Sequence, residues 1–361
     1  MKPKKIVFIL NVDEKPRYYK RIEEFVAKSY DVNVFAFKRY QSAGLSLSVP
    51  VTIIDSYKNG ISFRKRIPIL MRGVSRIVKQ YKSQEVLYYI FGLDVASVFR
   101  FKYPSLKYVY EEGDLVHTYS SSRFFRCVME WIDKSVIRHS LYTVFTSEGF
   151  IDFHFHVNAI KNGIVIPNKI SKDIRDLPYI KTRNININNL HIGFVGAPRF
   201  ATIINFFKYA CIAFPQHDFH VFGGPVPVDF DELKDYSNMH FHGKFKTPED
   251  LPSIYSQLDL VLSTYDTDSD NVRYAEPNKL YEAIYFETPI IVSSNTFLSK
   301  KVKELGVGFD LEVNEDNVTS LIKSLSINVI NQVKENIKKY PKEYAIDDMG
   351  ILFDKVEDSF L

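Results

Sequence analysis

The chain has 361 residues, 45% hydrophobic and 25% charged, which excludes an intrinsically disordered protein and suits about two domains. No run approaches the ~18 apolar residues that span a bilayer, and two cysteines are too few for a disulfide framework, which favours an intracellular protein. The net charge of +4 hides an asymmetry, because residues 1–170 carry 27 Lys and Arg against 15 Asp and Glu. This basic first half indicates an anionic partner.

The first half alternates short apolar runs with helical patterns. The apolar runs predict strands at Lys5–Leu10, Asp31–Phe37, Val86–Ile90, Lys107–Tyr110, Leu141–Phe145 and Ile164–Ile166. A 3.6-residue periodicity predicts helices at Pro16–Ser29, Ile67–Lys82, Leu93–Phe101, Ser121–His139 and Glu148–Phe155. Because buried apolar strands joined by helices pair in parallel, we expect a doubly wound α/β domain over residues 1–172. The apolar run after the basic N-terminus is too short for a signal peptide and is expected to be the first strand.

A polar, Asn-rich stretch between Lys169 and Asn189 predicts a linker, after which the alternation restarts. Strands are predicted at His191–Val195, Phe219–Phe222, His240–His242, Leu260–Ser263 and Ile290–Val292, and helices at Arg199–Phe214, Pro248–Gln257, Pro277–Phe286 and Thr296–Leu305. Amphipathic helical segments follow Val313. We therefore expect a second Rossmann-like domain over residues 187–345. Two such domains in tandem would face each other across a cleft, with ligands beyond the carboxyl ends of the strands.

The segment Arg273–Glu282 carries its charges in an unusual order for the beginning of a helix. Pro277 suits the first helical position, because its missing N–H would have no partner there. Lys279 then falls in the first turn, where the helix dipole disfavours a cation by roughly 0.3–1 kcal/mol. A helix N-terminus with a lysine is suited to bind phosphate, and Glu282 could bind hydroxyls beside it. The alternative is an ordinary ion pair on the helix surface.

Several other loops carry motifs in a characteristic order. In the second half they are Ile192–Arg199, Phe222–Gly224, His242–Gly243, Pro277–Ala283 and Glu287–Val292; in the first half they are Lys15–Arg17, Tyr110–Leu115, Thr146–Phe150 and Pro167–Asn168. The ordered set covers nearly the whole chain and resembles the GT-B glycosyltransferases that build bacterial surface polysaccharides. The resemblance implies a GT-B fold with the acceptor in the first domain, a nucleotide-sugar in the second, and a final helix at 346–361 that returns to the first domain.

The resemblance also implies the residues of the donor site. They are Gly196, Arg199, Gly223, Gly243, Arg273, Asn278, Lys279, Leu280 and Glu282. Glu282 would accept hydrogen bonds from ribose hydroxyls, while Lys279 and helix N–H groups would bind the diphosphate and stabilise it as it leaves. The sequence departs from the family pattern twice. The first of two glutamates separated by seven residues would fall at Tyr274, and the lysine expected five residues after Arg199 is Ile204.

Simpler interpretations of the glycine loop and of other motifs stay open. Gly193 and Gly196 could form an ordinary tight turn, and the lack of a third glycine argues against NAD. The acidic run Asp266–Asp270 lacks the glycine and the final glutamate of a calcium loop, so a mobile, solvated loop is expected, which could close over the donor. His154 and His156, two apart on a helix, do not face together and are expected to be structural. No zinc-ligand spacing is visible, so we expect no metal and no cofactor.

Three carboxylates follow the strand that ends at Tyr110, namely Glu111, Glu112 and Asp114. Neighbouring carboxylates can raise one another's pKa, which suits a general base for an acceptor hydroxyl. We expect Asp114 to be that base, with Glu112 as the second candidate and Lys279 as the third catalytic residue. The alternative is a solvated acidic loop.

The segment Arg64–Lys82 contains no acidic residue, and its apolar residues recur at helical spacing with Arg72, Arg76 and Lys79 on the opposite side. It is either a helix packed on its own sheet with a basic exterior or a surface for anionic lipid headgroups. In the family that the sequence resembles, the acceptor is often a lipid-linked diphosphate sugar, which fits a basic first domain. No nucleic-acid-reading motif accompanies the charge, so nucleic acid is not expected.

These features together predict a cytoplasmic glycosyltransferase, peripheral on the inner face of the membrane. It would transfer a sugar, hexosyl or similar, from a UDP- or GDP-sugar to a saccharide or lipid-linked saccharide in cell-surface polysaccharide synthesis. Two alternatives stay open: a sugar-nucleotide epimerase on the same fold, and a catalytically degenerate nucleotide-binding assembly subunit, which Tyr274 and Ile204 would explain.

Overall fold

The computed structural model describes residues 4–13, 15–39, 46–58, 60–156, 160–180 and 182–359. The chain divides into two compact units, one formed by Met1–Ile166 with Met349–Leu361 and the other by Pro167–Asp348. The division falls at Ile166 rather than at residue 172, because Ile170 forms a parallel bridge with Ile346 inside the second unit. The two residues are buried together with Ile174 in a small apolar cluster.

Each unit contains one sheet in which all the paired strands run parallel. The strands of the first unit are β1 (Lys5–Leu10), β2 (Asp31–Arg39), β3 (Val51–Tyr57), β4 (Leu87–Phe91), β5 (Tyr108–Glu112), β6 (Tyr142–Phe145) and β7 (Gly163–Val165). Those of the second unit are β8 (His191–Val195), β9 (Asp218–Phe222), β10 (Met239–Gly243), β11 (Leu260–Ser263), β12 (Ile290–Ser293) and β13 (Gly308–Leu311). The strand orders are β3-β2-β1-β4-β5-β6-β7 and β10-β9-β8-β11-β12-β13.

Helices connect most of the strands. In chain order they are α1 (Pro16–Ala27), α2 (Phe63–Gln80), α3 (Leu93–Lys102), α4 (Arg123–His139), α5 (Glu148–Phe155), α6 (Ala201–Ala213), α7 (Leu251–Ser256), α8 (Asp270–Tyr274), α9 (Lys279–Tyr285), α10 (Phe297–Leu305), α11 (Glu315–Ser324), α12 (Ile327–Ile337) and α13 (Gly350–Asp358). Parallel strands joined by helices confirm the predicted α/β class. Among the described residues, no helix is both long and apolar enough to cross a membrane.

The central strands fold as predicted because their residues are apolar and fully covered. β1 buries every residue from Ile6 to Leu10, and β4 buries all five of its residues. β3 and β13, which the apolar-run criterion missed, lie at the edges of their sheets and are only partly buried. An edge strand needs no continuous apolar run, because one of its sides and much of one face stay exposed.

The core of the first unit also holds the C-terminal helix. Phe25 of α1 contacts Phe8 of β1 and Phe353 of α13, with ring centroids 5.4 and 5.0 Å apart. Glu357 pairs with Lys4 at the surface beside them. Full burial of one such aromatic side chain contributes ~1.5–3 kcal/mol, which explains why α13 folds with the first unit although it follows the second in sequence.

The strand orders identify where each unit can bind a ligand. In the first sheet the order reverses between β1 and β4, and in the second between β8 and β11. Loops that leave the carboxyl ends of the strands on either side of such a point diverge and form a crevice. Each unit therefore has one crevice at which its candidate site residues can act.

Candidate functional site

Three glycine loops meet at the carboxyl ends of β8, β9 and β10. Gly196, Gly223 and Gly243 have φ values of +145°, +143° and +76°, a region that favours glycine. The Gly196 N–H donates to Phe222 O (2.8 Å), and the Gly223 N–H donates to Gly243 O (2.7 Å). A Cβ on Gly223 would lie 1.7 Å from Gly196 O. The loops therefore pack backbone against backbone, which requires glycine at Gly223 regardless of any ligand.

Lys279 lies beside this loop stack. A Cβ added to Gly196 would be 3.7 Å from Lys279 Cε. Lys279 is the first residue of α9, and Asn278 precedes it as the cap residue, so the helix begins two residues later than Pro277 predicts. The reason is that the N–H of Leu280 bonds to Pro277 O and that of Tyr281 to Asn278 O, a tighter turn than an α-helix. Lys279 still lies at the helix beginning, with only 8% of its side chain exposed.

Glu282 accepts hydrogen bonds from three side chains. Lys279 Nζ lies 3.0 and 2.9 Å from its two carboxylate oxygens, Asn278 Nδ2 lies 2.8 Å from Oε1, and Tyr255 Oη lies 2.6 Å from Oε2. Burial raises the pKa of Tyr255 well above its ordinary value, so its hydroxyl keeps the proton that it donates. Lys279 and Glu282 therefore form an ion pair, as the simpler interpretation expects, but the pair is buried rather than on the surface. Leu280 points into the apolar core of the second unit.

The acidic loop 266–270 is held by the fold rather than free. Asp266 accepts the N–H groups of Ala201 (3.1 Å) and Thr202 (2.9 Å), which cap the N-terminus of α6. Arg273 turns back onto the same loop, with Nε 2.7 Å from Thr267 O. Because a carboxylate already satisfies these N–H groups, they are not available to bind an anion at the N-terminus of α6.

The other charged residues around this crevice divide into exposed and buried groups. Arg199 is exposed in the loop before α6 and lies over the Phe200 ring at 5.2 Å. Glu276 lies two residues after Tyr274, where the family pattern has a glutamate, and it is buried. Its Oε1 lies 2.6 Å from Lys301 Nζ and also accepts a hydrogen bond from the Tyr281 hydroxyl. Arg199 and Lys279 are thus the predicted donor-site cations placed next to the glycine loops.

A cavity of about 170 Å³ opens at the crevice of the first sheet. Its charged lining residues are Lys15, Arg17, Arg39, Arg66, Asp94, Glu111 and Asp114, and Val116, Phe125 and Met129 add apolar surface. Asp114 is 38% exposed and lies 3.0 Å from Lys15 Nζ. Glu111 is buried, where it contacts Arg21 Nε at 2.9 Å and Tyr89 Oη at 2.6 Å. Asp114 is therefore the carboxylate of the predicted trio that is accessible from the cavity.

Glu112 is not among the residues that line this cavity. Alternate residues of a strand point to opposite faces, so Glu112 lies on the other face of β5 from Glu111. It is 1% exposed, and its Oε1 lies 2.8 Å from His154 Nε2. Burial raises its pKa well above the ordinary value, with a further contribution from Asp114. The structure thus separates Glu112, the second choice for the base, from the accessible Asp114.

Known proteins resemble this chain in fold but not in sequence. No family model matches the sequence, and no curated protein matches it. Sucrose-phosphate synthase from Thermosynechococcus elongatus has a TM-score of 0.69 at 14% identity, covering 99% of this chain and 100% of its own. Anabaena HepE in complex with UDP has a TM-score of 0.68 at 15% identity, covering 99% of both chains. The lipopolysaccharide outer core galactosyltransferase WaaB has a TM-score of 0.64 at 15% identity, covering 93% and 95%.

These similar structures are GT-B glycosyltransferases, and the likeness extends over nearly the whole chain. The protein therefore has the GT-B fold that its motifs indicate. Identities of 14–15% establish the fold alone, and the reaction has to be argued from the residues.

Proposed function

We propose that this protein is a glycosyltransferase that moves a sugar from a UDP- or GDP-sugar to a saccharide or lipid-linked saccharide acceptor in cell-surface polysaccharide synthesis. The observation that carries the proposal is the buried Lys279–Glu282 pair beside the Gly196 loop. A cation at a helix N-terminus opposes the helix dipole, yet here it is retained at the ligand-binding edge of a parallel sheet.

Donor binding would redistribute the partners of this pair. The Lys279 ammonium turns from Glu282 to the diphosphate, since its flexible stem lies next to Gly196, where no side chain obstructs it. Glu282 keeps the Asn278 and Tyr255 hydrogen bonds and gains ribose hydroxyls as donors. One charge-assisted contact of this kind contributes ~1.5–3 kcal/mol, and Arg199 adds a second cation to the departing diphosphate.

The acceptor would occupy the cavity of the first unit. The bond between the sugar C1 and the diphosphate oxygen breaks, the acceptor oxygen bonds to C1, and the acceptor proton passes to Asp114, the accessible carboxylate of that cavity. The lining cations suit an acceptor that carries a diphosphate. Exchange of Asp114 for Asn is expected to lower kcat by about 100-fold or more while the melting temperature stays unchanged. An unchanged kcat would remove Asp114 from the mechanism.

The proposed location is cytoplasmic and peripheral on an anionic membrane. The basic side of α2, with Arg72, Arg76 and Lys79, is exposed as predicted. The neighbouring helices add aromatic surface, because Phe101 of α3 and Trp131 of α4 stack with centroids 6.3 Å apart and are 50% and 65% exposed. Aromatic side chains beside cations suit the bilayer interface.

Trp131 gives this membrane proposal a direct optical test, because it is the sole tryptophan of the chain. We expect a blue shift of its fluorescence with vesicles that contain phosphatidylglycerol and none with phosphatidylcholine alone. The double variant Arg72→Glu, Arg76→Glu should abolish the shift, whereas Lys338→Glu in the second unit should not. A Trp131 emission maximum that does not change with the anionic lipid content would refute membrane docking.

A thermal-shift screen of nucleotides and nucleotide-sugars tests donor binding. Saturation at 100 times the Kd stabilises by ~2.7 kcal/mol, which raises the melting temperature of a unit of this size by about 5 °C or more. Lys279→Ala should lose the shift. Lys338→Ala is the matched control, since it removes an exposed Lys–Glu pair with the same three-residue spacing in the same unit. No shift with any nucleotide, or equal shifts in both variants, would contradict the donor site.

One comparison favours a second candidate. A UDP-N-acetylglucosamine 2-epimerase has a TM-score of 0.58 at 12% identity, covering 93% of this chain and 91% of its own. An epimerase would convert the nucleotide-sugar without any acceptor. Incubation with UDP-N-acetylglucosamine alone, followed by proton NMR, distinguishes the two: an epimeric product supports the epimerase, and an unchanged spectrum supports the transferase.

A further inference from the structure

Four buried polar residues converge beside the cavity of the first unit, which one of them, His117, also lines. They are Glu112 at the end of β5, His117 in the 3₁₀ turn Val116–Tyr119, Asp133 of α4 and His154 of α5. Their exposed fractions are 1%, 5%, 1% and 3%. Four separate elements thus bring two carboxylates and two imidazoles into the interior, where unpaired polar groups are strongly disfavoured.

The distances among them suit ligands of one cation. His154 Nε2 lies 2.8 Å from Glu112 Oε1 and 3.8 Å from Asp133 Oδ2, and His117 Nδ1 lies 3.6 Å from the same Asp133 oxygen. One ligand atom each from Glu112, Asp133 and His154 lies within 4.8 Å of the other two. Two ligands of a tetrahedral zinc ion, each at ~2.0–2.1 Å, stand roughly 3.4 Å apart, so small movements would bring these three residues around one ion. His117 would join them from the side of Asp133.

Several atoms of the cluster are buried without a hydrogen-bond partner, which is a second and independent observation. Within the described part of the chain, Glu112 Oε2, His154 Nδ1 and both ring nitrogens of His117 have none. A buried polar group without a partner is costly, so a ligand that satisfies these atoms would stabilise the fold. Tyr110 Oη, in contrast, donates to Asp133 Oδ1 at 3.2 Å, the kind of contact that orients a metal-binding carboxylate.

We propose that Glu112, His117, Asp133 and His154 form a structural zinc site. Two carboxylates balance one divalent cation, and neutral imidazole nitrogens complete a closed four-ligand set, which is typical of structural rather than catalytic zinc. The metal would bind β5, α4, α5 and the turn after Asp114 to one another. The inference concerns the first unit and does not depend on the proposed transfer reaction.

Metal analysis of the purified full-length protein tests the site. After dialysis against a chelator and titration with Zn²⁺, we expect saturable uptake of about one ion per chain and a higher melting temperature. Co²⁺ in place of Zn²⁺ should give the visible absorption bands of a tetrahedral complex. Wild-type protein that takes up no ion, with no change in melting temperature, would overturn the proposal.

Two variants and two controls assign the ligands. His154→Ala and Asp133→Asn should each reduce zinc uptake at least tenfold. The controls His139→Ala in α4 and Asp354→Asn in α13 change the same residue types at exposed positions of the first unit and should bind zinc as the wild type does. Equal uptake by all four would refute these ligands. If His154→Ala does not fold, the cobalt spectrum of the wild-type protein tests the ligands instead. Absorption bands of octahedral cobalt alone would refute the proposed four-ligand set.

Discussion

The contact between two glycine loops makes a quantitative prediction about the second unit. In Gly223→Ala, the new Cβ would lie 1.7 Å from Gly196 O, whereas real Cβ contacts stay beyond 3.0 Å. One loop must therefore move by at least 1.3 Å, the difference between these distances. Gly223 also has a φ of +143°, a strain of ~1–3 kcal/mol for a side-chain-bearing residue, so we expect a total loss of about 4 kcal/mol or more.

Gly243→Ala provides the matched control, because its φ of +76° is also positive but nothing lies within 4 Å of its Cβ position. Backbone strain alone should then lower stability by ~1–2 kcal/mol. Scanning calorimetry of both variants measures the difference: the melting temperature of the second unit should fall by ~2–8 °C for Gly243→Ala and by more than about 8 °C for Gly223→Ala. Equal shifts would show that the loops do not pack as described.

Two further predictions concern a helix cap and a buried histidine. Asp266→Ala removes the hydrogen-bond acceptor at the N-terminus of α6 and should lower the free energy of urea unfolding by ~0.5–2 kcal/mol. The control Asp268→Ala, on the exposed part of the same loop, should leave this free energy unchanged. Equal losses in the two variants would refute the cap. Burial, followed by the neighbouring His240 and His242, lowers the pKa of His220 to about 3. His220 therefore stays neutral in the folded protein, whereas in the unfolded chain it becomes protonated below about pH 6.5. For this reason the unfolding free energy should fall by ~1.4 kcal/mol for each pH unit as the pH drops from about 6.5 towards 3. His220→Gln should flatten this dependence, and an unchanged slope would contradict it.

Features that depend on local sequence were predictable. The apolar run of β1 and the periodicity of α4 identified both elements, since a buried strand and an amphipathic helix each leave a distinct pattern. The start of α9 was placed two residues too early because Pro277 suits a helix start but the first turn there is tighter than an α-helix. Lys279 and Glu282 are in contact, as their three-residue spacing on a helix predicts, although the spacing did not reveal that Tyr255 joins them from α7.

Features that depend on long-range contacts were not predictable. Asp266 caps a helix that begins 65 residues earlier, so the residues next to the acidic loop do not indicate that the loop is held in place. Glu112 and His154 are 42 residues apart, and the two-residue spacing of His154 and His156 argued against a metal. The strand alternation of β5 does predict that Glu111 and Glu112 point to opposite faces, a signal that could have separated them.

The proposed function depends above all on the claim that Lys279 binds the diphosphate of a nucleotide-sugar during transfer. The most direct measurement is the release of nucleoside diphosphate from the donor that the thermal screen identifies, with and without a saccharide acceptor. We predict acceptor-dependent release by the wild type and by Lys338→Ala, and a loss of about 100-fold or more in Lys279→Ala, which corresponds to ~3 kcal/mol of transition-state stabilisation. Equal release by Lys279→Ala and Lys338→Ala would contradict the claim.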